Sequence, residues 1–154
     1  FLGGGLSPEL ADSRYQKMKL DWANMENVFT HFCALTDTQI NAVMSISDLT
    51  YAAYRDFPNS SNMLTKVASL KKPIIVSDGY LMAERVREYA LGEVVAEGDH
   101  DEITRTIEGM LADGYAADLQ SRARWDEYHA LHSVDRLPDC FEKLLSPMGE
   151  QAAQ

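Results

Sequence analysis

Apolar positions change their spacing repeatedly along this chain, and the changes mark out secondary-structure elements. From Pro8 to about Trp22 a polar stretch carries Leu10, Tyr15, Met18, Leu20 and Trp22. Its opening, Ser7-Pro8-Glu9, offers a capping oxygen, a proline and an acid in the first turn, so a helix is predicted there. Asn27 to Cys33, "NVFTHFC", is β-branched and aromatic and predicts a strand. Thr36-Asp37 opens a second helix with Ile40, Val43 and Met44 on one face. "DLTYAAY", Asp48 to Tyr54, reads as a buried strand. The loop Arg55 to Asn59 then leads into a helix from Ser61 to about Leu70, with Leu64, Val67 and Ala68 on one face. "PIIVSD", Pro73 to Asp78, is a parallel-type strand running into an Asp-Gly turn. A helix over Leu81 to Tyr89 places Met82, Val86 and Tyr89 at helical spacing; Gly92 stops it and "EVVA" forms a short strand. Acids in "EGDHDE" favour a helix start, and the core face of that helix is Ile103, Ile107, Met110 and Leu111. The remainder reads as two helices, about Tyr115 to His132 and Val134 to Leu145.

Short strands alternating with helices imply βαβ units. The expected fold is therefore α/β: a Rossmann-like open parallel sheet with helices on both faces and a helical C-terminal tail, residues 1–154 forming one domain. At 154 residues, 45% apolar and 25% charged, the chain is long enough for one real core. It contains no apolar run of about eighteen residues that would span a membrane. Its N-terminus lacks the basic and apolar segments of a signal peptide, so a cytoplasmic location is expected. The chain opens on Phe1, as a processed, trimmed or partial product would, and "FLGGG" reads as a strand end with a glycine-rich exit.

A formal charge of −10 argues against nucleic acid and anionic membranes as partners. It leaves room for a small phosphorylated ligand, which a few backbone amides can hold locally. Cys33 and Cys140 show neither zinc-like nor redox spacing and are expected to be reduced thiols.

In open parallel sheets, ligands collect beyond the carboxyl ends of the strands. Two segments qualify. In the first, Tyr54 to Asn62, a strand leads into a helix at Ser60-Ser61-Asn62, where free N–H groups and the helix dipole attract an anion. Lys66, a turn later, would add a charge. The plainer reading is that Ser61 caps its helix, since Ser-Ser-Asn lacks the glycine spacing of a phosphate loop. In the second, Ser77 to Tyr80, Asp78-Gly79 is either an ordinary turn or a close approach of backbone to a ligand covered by Tyr80. His129 and His132 have no acid at metal-binding spacing, so no metal is expected. His31 reads as a structural residue of its strand, and His100 as solvated. Glu97, Asp99, Asp101 and Glu102 read as a solvated helix start. No nucleophile elbow or Cys/His pairing is present, and no catalytic residue is assigned.

The run from Ser47 to Asp113 carries a series of weak motifs in a particular order. Ser47-Asp48, Lys71-Lys72-Pro73-Ile74-Ile75, Asp78-Gly79, Glu84-Arg85-Val86, Gly92-Glu93-Val94-Val95 and Asp99 follow one another at characteristic spacing. In this it resembles the C-terminal, donor-binding half of GT-B fold glycosyltransferases of the retaining family-4 kind. "FLGGG" and "ENVFTH" look like the second and third strands of that half, and "HSVDRLPDCFEKLL" like its closing helices. The resemblance implies a nucleotide-diphosphate sugar as donor substrate, with no metal. Ser60, Ser61, Asn62 and Lys66 would lie by the diphosphate, and Asp78 and Gly79 on the sugar side. It also implies that the first strand and helix, and the N-terminal acceptor domain, are missing, so that this chain alone would not turn over.

Two departures qualify the resemblance. The positions of the family's two glutamates hold Pro58 and Lys66, and Lys71 stands where a glycine is usual. A lysine cannot accept hydrogen bonds from ribose hydroxyls as a carboxylate does. The competing expectation is a non-catalytic interaction module on the same scaffold, self-associating as a homo-oligomer. A receiver-like signalling domain fits less well, because Asp48 begins its strand and does not end it.

Overall fold

In the computed structural model, which describes residues 2–3, 13–31 and 34–145, the alternation of strands and helices is realised as an α/β arrangement in two units, 1–43 and 44–154. In the first unit, β1 (Leu2–Gly3) pairs in parallel with β2 (Thr30–His31), Leu2 opposite Thr30 and Gly3 opposite His31. A parallel pair needs a long crossover, and α1 (Ser13–Ala23) lies within it. Of the strand expected from Asn27 to Cys33, Thr30 and His31 are strand and residues 27–29 are not. Asn27 takes a left-handed φ of 68°, and bonds from Met25 N to Trp22 O and from Val28 N to Met25 O keep this stretch in turns. Cys33 and the helix start at Ser7-Pro8-Glu9 lie outside the described residues. The second helix, α2 (Asp37–Ile46), opens on a reciprocal cap: Gln39 N donates to Thr36 Oγ1, and Thr36 N donates to Gln39 Oε1.

The second unit holds a three-stranded parallel sheet in the order β3 (Thr50–Ala52), β4 (Ile74–Ser77), β5 (Gly92–Val95). Thr50 pairs with Ile74, and Ile74 with Gly92. The crossovers are α3 (Asn62–Leu70) and α4 (Leu81–Tyr89). Both step the same way across the sheet, so the right-handed rule puts them on one face. On the other face, Ile75 and Val95 form a cluster with Ile103 and Met110 of α5 (His100–Leu111), flanked by Leu49, Ala53, Ile107 and Tyr115. All four residues of β4 are buried, as a central parallel strand covered on both sides should be. Each such apolar side chain contributes about 1.5–3 kcal/mol. Leu111 departs from expectation. It is 57% exposed, because eight residues after Ile103 at the end of α5 it has rotated to the rim of the apolar stripe.

Beyond α5 follow α6 (Tyr115–Arg122), α7 (Trp125–Leu131), a 3-10 turn (Val134–Arg136) and α8 (Leu137–Leu145). The single helix expected from Tyr115 to His132 is broken at Ala123–Arg124, although no proline or glycine stands there. The cause is tertiary. Arg124 N donates to Tyr89 O, and the Arg124 guanidinium bonds Glu88 O while lying 4.9 Å over the Tyr89 ring. Arg124 thus satisfies the orphan carbonyls of α4, where the dipole favours a cation. α7 then packs on α3 and α4, burying Trp125 and Tyr128. Among the described residues, no helix is long and apolar enough to cross a membrane.

Candidate functional site

The carboxyl ends of β3 and β4 open on a small, half-open hollow with room for about one water. Its lining is Ala52, Tyr54, Phe57, Ser77, Tyr80 and Met82. The sheet dictates this placement: Ala52 and Ser77 are the last residues of their strands, and Tyr80 and Met82 begin the helix after β4. Tyr54 and Phe57 meet edge to face with ring centroids 4.9 Å apart, a favoured geometry for two quadrupoles. Ser77 is the buried polar residue of the lining, only 8% exposed.

Three loops are tied together at this end of the sheet. The Tyr80 hydroxyl donates to Asp56 Oδ1 at 2.9 Å, and Asp56 N donates to Glu97 Oε2 at 2.9 Å. The loops after β3, β4 and β5 are therefore cross-linked through Asp56, which holds a left-handed φ of 45°. Hydrogen bonding to Asp56 raises the Tyr80 phenol above its usual pKa. Beside it, Asp78 N donates to Val95 O. The Asp78 carboxylate accepts from Arg87 Nη1 at 2.7 Å and from Gly79 N at 2.7 Å. These bonds, that of Arg87 foremost, lower the Asp78 carboxyl from 3.8 to about 2.

The predicted donor residues sit one turn of chain away from this hollow. Ser61 is the N-cap of α3, and its Oγ accepts from Met63 N at 3.3 Å. The capping role expected of it is present, and its own proton remains able to donate. Ser60 bonds the Tyr128 phenol, which burial raises in pKa against the opposing effects of Arg85 and Ser60. Asn62, the first residue of α3, is exposed, and Lys66 lies partly buried a turn later. Ser60, Ser61, Asn62 and Lys66 do not line the hollow, and neither do Asp78 and Gly79. Lys71, where the resemblance expects glycine, is the left-handed C-cap of α3 (φ 52°). That is a position glycine fills without strain, so the structure explains the usual residue. Its ammonium pairs with Asp126 at 3.1 Å.

The acids read as a solvated helix start are more constrained than that. Asp99 caps α5 through Glu102 N, Glu102 accepts from Ala96 N, and Glu97 holds Asp56. The two segments singled out in the sequence, Tyr54 to Asn62 and Ser77 to Tyr80, supply most of the hollow's lining and of the latch, but of these residues only Tyr80 received a role from sequence, that of a cover. No local signal exists for a latch whose partners are 24 and 41 residues apart. An aromatic pair just after a parallel strand was the one available hint. Among the described residues, no group of three or more His, Cys, Asp or Glu is arranged to hold a metal ion.

Compared with protein families, curated proteins and solved structures, the chain matches none.

Proposed function

We propose that the chain is a Rossmann-like α/β domain that binds a nucleotide-diphosphate sugar, as the donor-binding part of a glycosyltransferase. The observation that carries this reading is the β3–α3 passage. A parallel strand leads through Pro58, Asn59 and Ser60 into a helix whose first turn opens at the carboxyl end of the sheet, where N–H groups and the dipole favour a diphosphate. Ser61 and Asn62 would contribute main-chain donors and the Ser61 hydroxyl, and Lys66 a charge. The Ser60 hydroxyl is engaged with Tyr128 and would act through its amide alone. Calorimetric titration with UDP, GDP and ADP tests the proposal. One nucleotide is expected to bind, and Lys66→Ala to weaken it roughly tenfold, the scale of a charge-assisted hydrogen bond. Silence from all three nucleotides overturns it.

A second reading, a self-associating interaction module, is favoured by α8. Leu137, Phe141, Leu144 and Leu145 lie along that helix, and none of its residues is buried. Apolar surface of this kind marks interaction sites. Sedimentation of the chain and of Phe141→Glu separates the two: a dimer dissolved by the substitution supports the module, and a monomer at all concentrations removes it.

A further inference from the structure

We infer that α8 is the contact through which two copies of this chain pair, their helices crossing antiparallel at Phe141. Each of the helices α2 to α7 buries at least one residue, whereas α8 buries none. Its apolar side chains are not scattered. Leu137, Phe141, Leu144 and Leu145 recur at helical spacing and form one stripe. All four are more than half exposed, and the helix packs chiefly on the 3-10 turn before it. An uncovered stripe of this kind is what a partner helix covers.

The order of residues along α8 selects a second copy as that partner and fixes its direction. Leu137 stands four residues before Phe141 and Leu145 four after it; Asp139 stands two before and Lys143 two after. An antiparallel copy centred on Phe141 therefore sets Leu137 against the partner's Leu145, and Lys143 level with the partner's Asp139. A parallel copy would instead put lysine level with lysine and aspartate level with aspartate, like charge beside like. Among the described residues, neither Asp139 nor Lys143 is held in an ion pair. Opposed directions also bring the negative end of each helix dipole beside the positive end of the other. Along α8 one base stands against two acids, a small part of the chain's −10, so little of the repulsion between two copies arises at the contact. The nine residues of α8 span about 13 Å. A contact that short falls at the small end of interfaces, so the dimer is weak and forms only as concentration rises.

The inference rests on the self-association proposed above as the second reading and adds its geometry. Leu137→Cys and Leu145→Cys chains test that geometry, each also carrying Cys33→Ser and Cys140→Ser. One of the two is made isotopically heavy, and the mixture is treated with a short bis-maleimide. Cross-links joining position 137 of one chain to position 145 of the other are expected to exceed like-to-like links several-fold. An excess of like-to-like links, a random mixture of pairs, or no cross-link at all overturns the antiparallel contact. Sedimentation of full-length variants tests the charges. Lys143→Asp, which sets an acid level with the partner's Asp139, should raise the dimer Kd several-fold. Asp139→Lys added to it should restore the original value. A Kd unmoved by the first substitution, or not restored by the second, overturns the register. No side chain of α8 is buried, so these variants keep the core, which an unchanged thermal melt verifies. A dimer without the 137–145 link keeps the self-associating module and removes this inference. A monomer at all concentrations removes both.

Discussion

The two crossovers of the sheet, β3–α3–β4 and β4–α4–β5, end alike and begin differently. Each helix closes on a left-handed residue that is not glycine, Lys71 after α3 and Ala90 after α4, both with φ of 52°. In each case the backbone N–H of that residue turns back to a helix carbonyl. At the start, α3 has Ser61 accepting from Met63 N, whereas the N-cap of α4 is Tyr80, with no side-chain cap. The serine serves its own helix. The tyrosine gives its ring to the hollow and its hydroxyl to another loop. Ser61 is thus spent locally while its neighbour Ser60 reaches Tyr128, and an aromatic cap leaves helix donors without a side-chain partner and builds a wall.

The largest expected effect comes from the return of the second crossover. A Cβ placed on Gly92 would stand 1.9 Å from Ile74 O and 2.7 Å from Ile74 N. Both are backbone atoms of the paired central strand and cannot step aside. Gly92→Ala should cost about 3 kcal/mol or more, at the upper end of overpacking penalties, and urea denaturation would show it. A loss under about 1 kcal/mol would mean that β5 shifts register freely and the sheet is looser than described.

Next in size is the difference between the helix starts. Ser61→Ala should destabilise by about 1 kcal/mol through the lost cap. Tyr80→Phe removes one exposed hydrogen bond and should cost about half that. Equal costs would erase the contrast. The shared ending is tested by substitution in the stabilising direction. Ala90→Gly should gain about 0.5–1 kcal/mol by relieving the left-handed strain, less the added entropy of the unfolded chain. Lys71→Gly should gain less, since it also gives up the exposed pair with Asp126, worth about 0–1 kcal/mol. A thermal melt that fell for Ala90→Gly would contradict the strain argument.

The helices of these crossovers were legible in the sequence because apolar spacing and caps are local. Leu81–Tyr89 came out as predicted, and α3 began one residue after its cap Ser61. The strands expected at Asp48–Tyr54 and Pro73–Asp78 are present but shorter, and the one expected as EVVA begins a residue earlier, at Gly92, because Ala90 and not Gly92 ends α4. Composition reports β-propensity, whereas pairing ends where a neighbour ends, and β3 retains only Thr50–Ala52. The break between α6 and α7 was invisible because Arg124 takes its instructions from Glu88 and Tyr89, more than thirty residues away. The site divides the same way. Ser61 as a cap could be read from residue type and position, whereas the Asp56–Tyr80–Glu97 latch depends on three loops that only the parallel register brings together.

The smallest effect probes the turn that opens the second crossover. The Asp78 carboxyl titrates at about 2, below its ordinary 3.8, chiefly because Arg87 holds the ionised form. A carboxylate with a depressed folded pKa adds stability that is full above the unfolded value and fades as pH falls through the folded one. The Arg87–Asp78 contribution should therefore be constant above about pH 4 and disappear between there and about pH 2. Both side chains are about half exposed, so salt should screen the pair and the stability involved is small. Arg87→Gln should move the Asp78 titration midpoint, followed by carboxyl carbon NMR, back toward the ordinary range. It should not return fully, because Gly79 N still donates. A midpoint unmoved by Arg87→Gln would mean that the loop amide alone sets the pKa. The first crossover, with no carboxylate–arginine pair at its start, would then differ from the second in backbone geometry and not in charge.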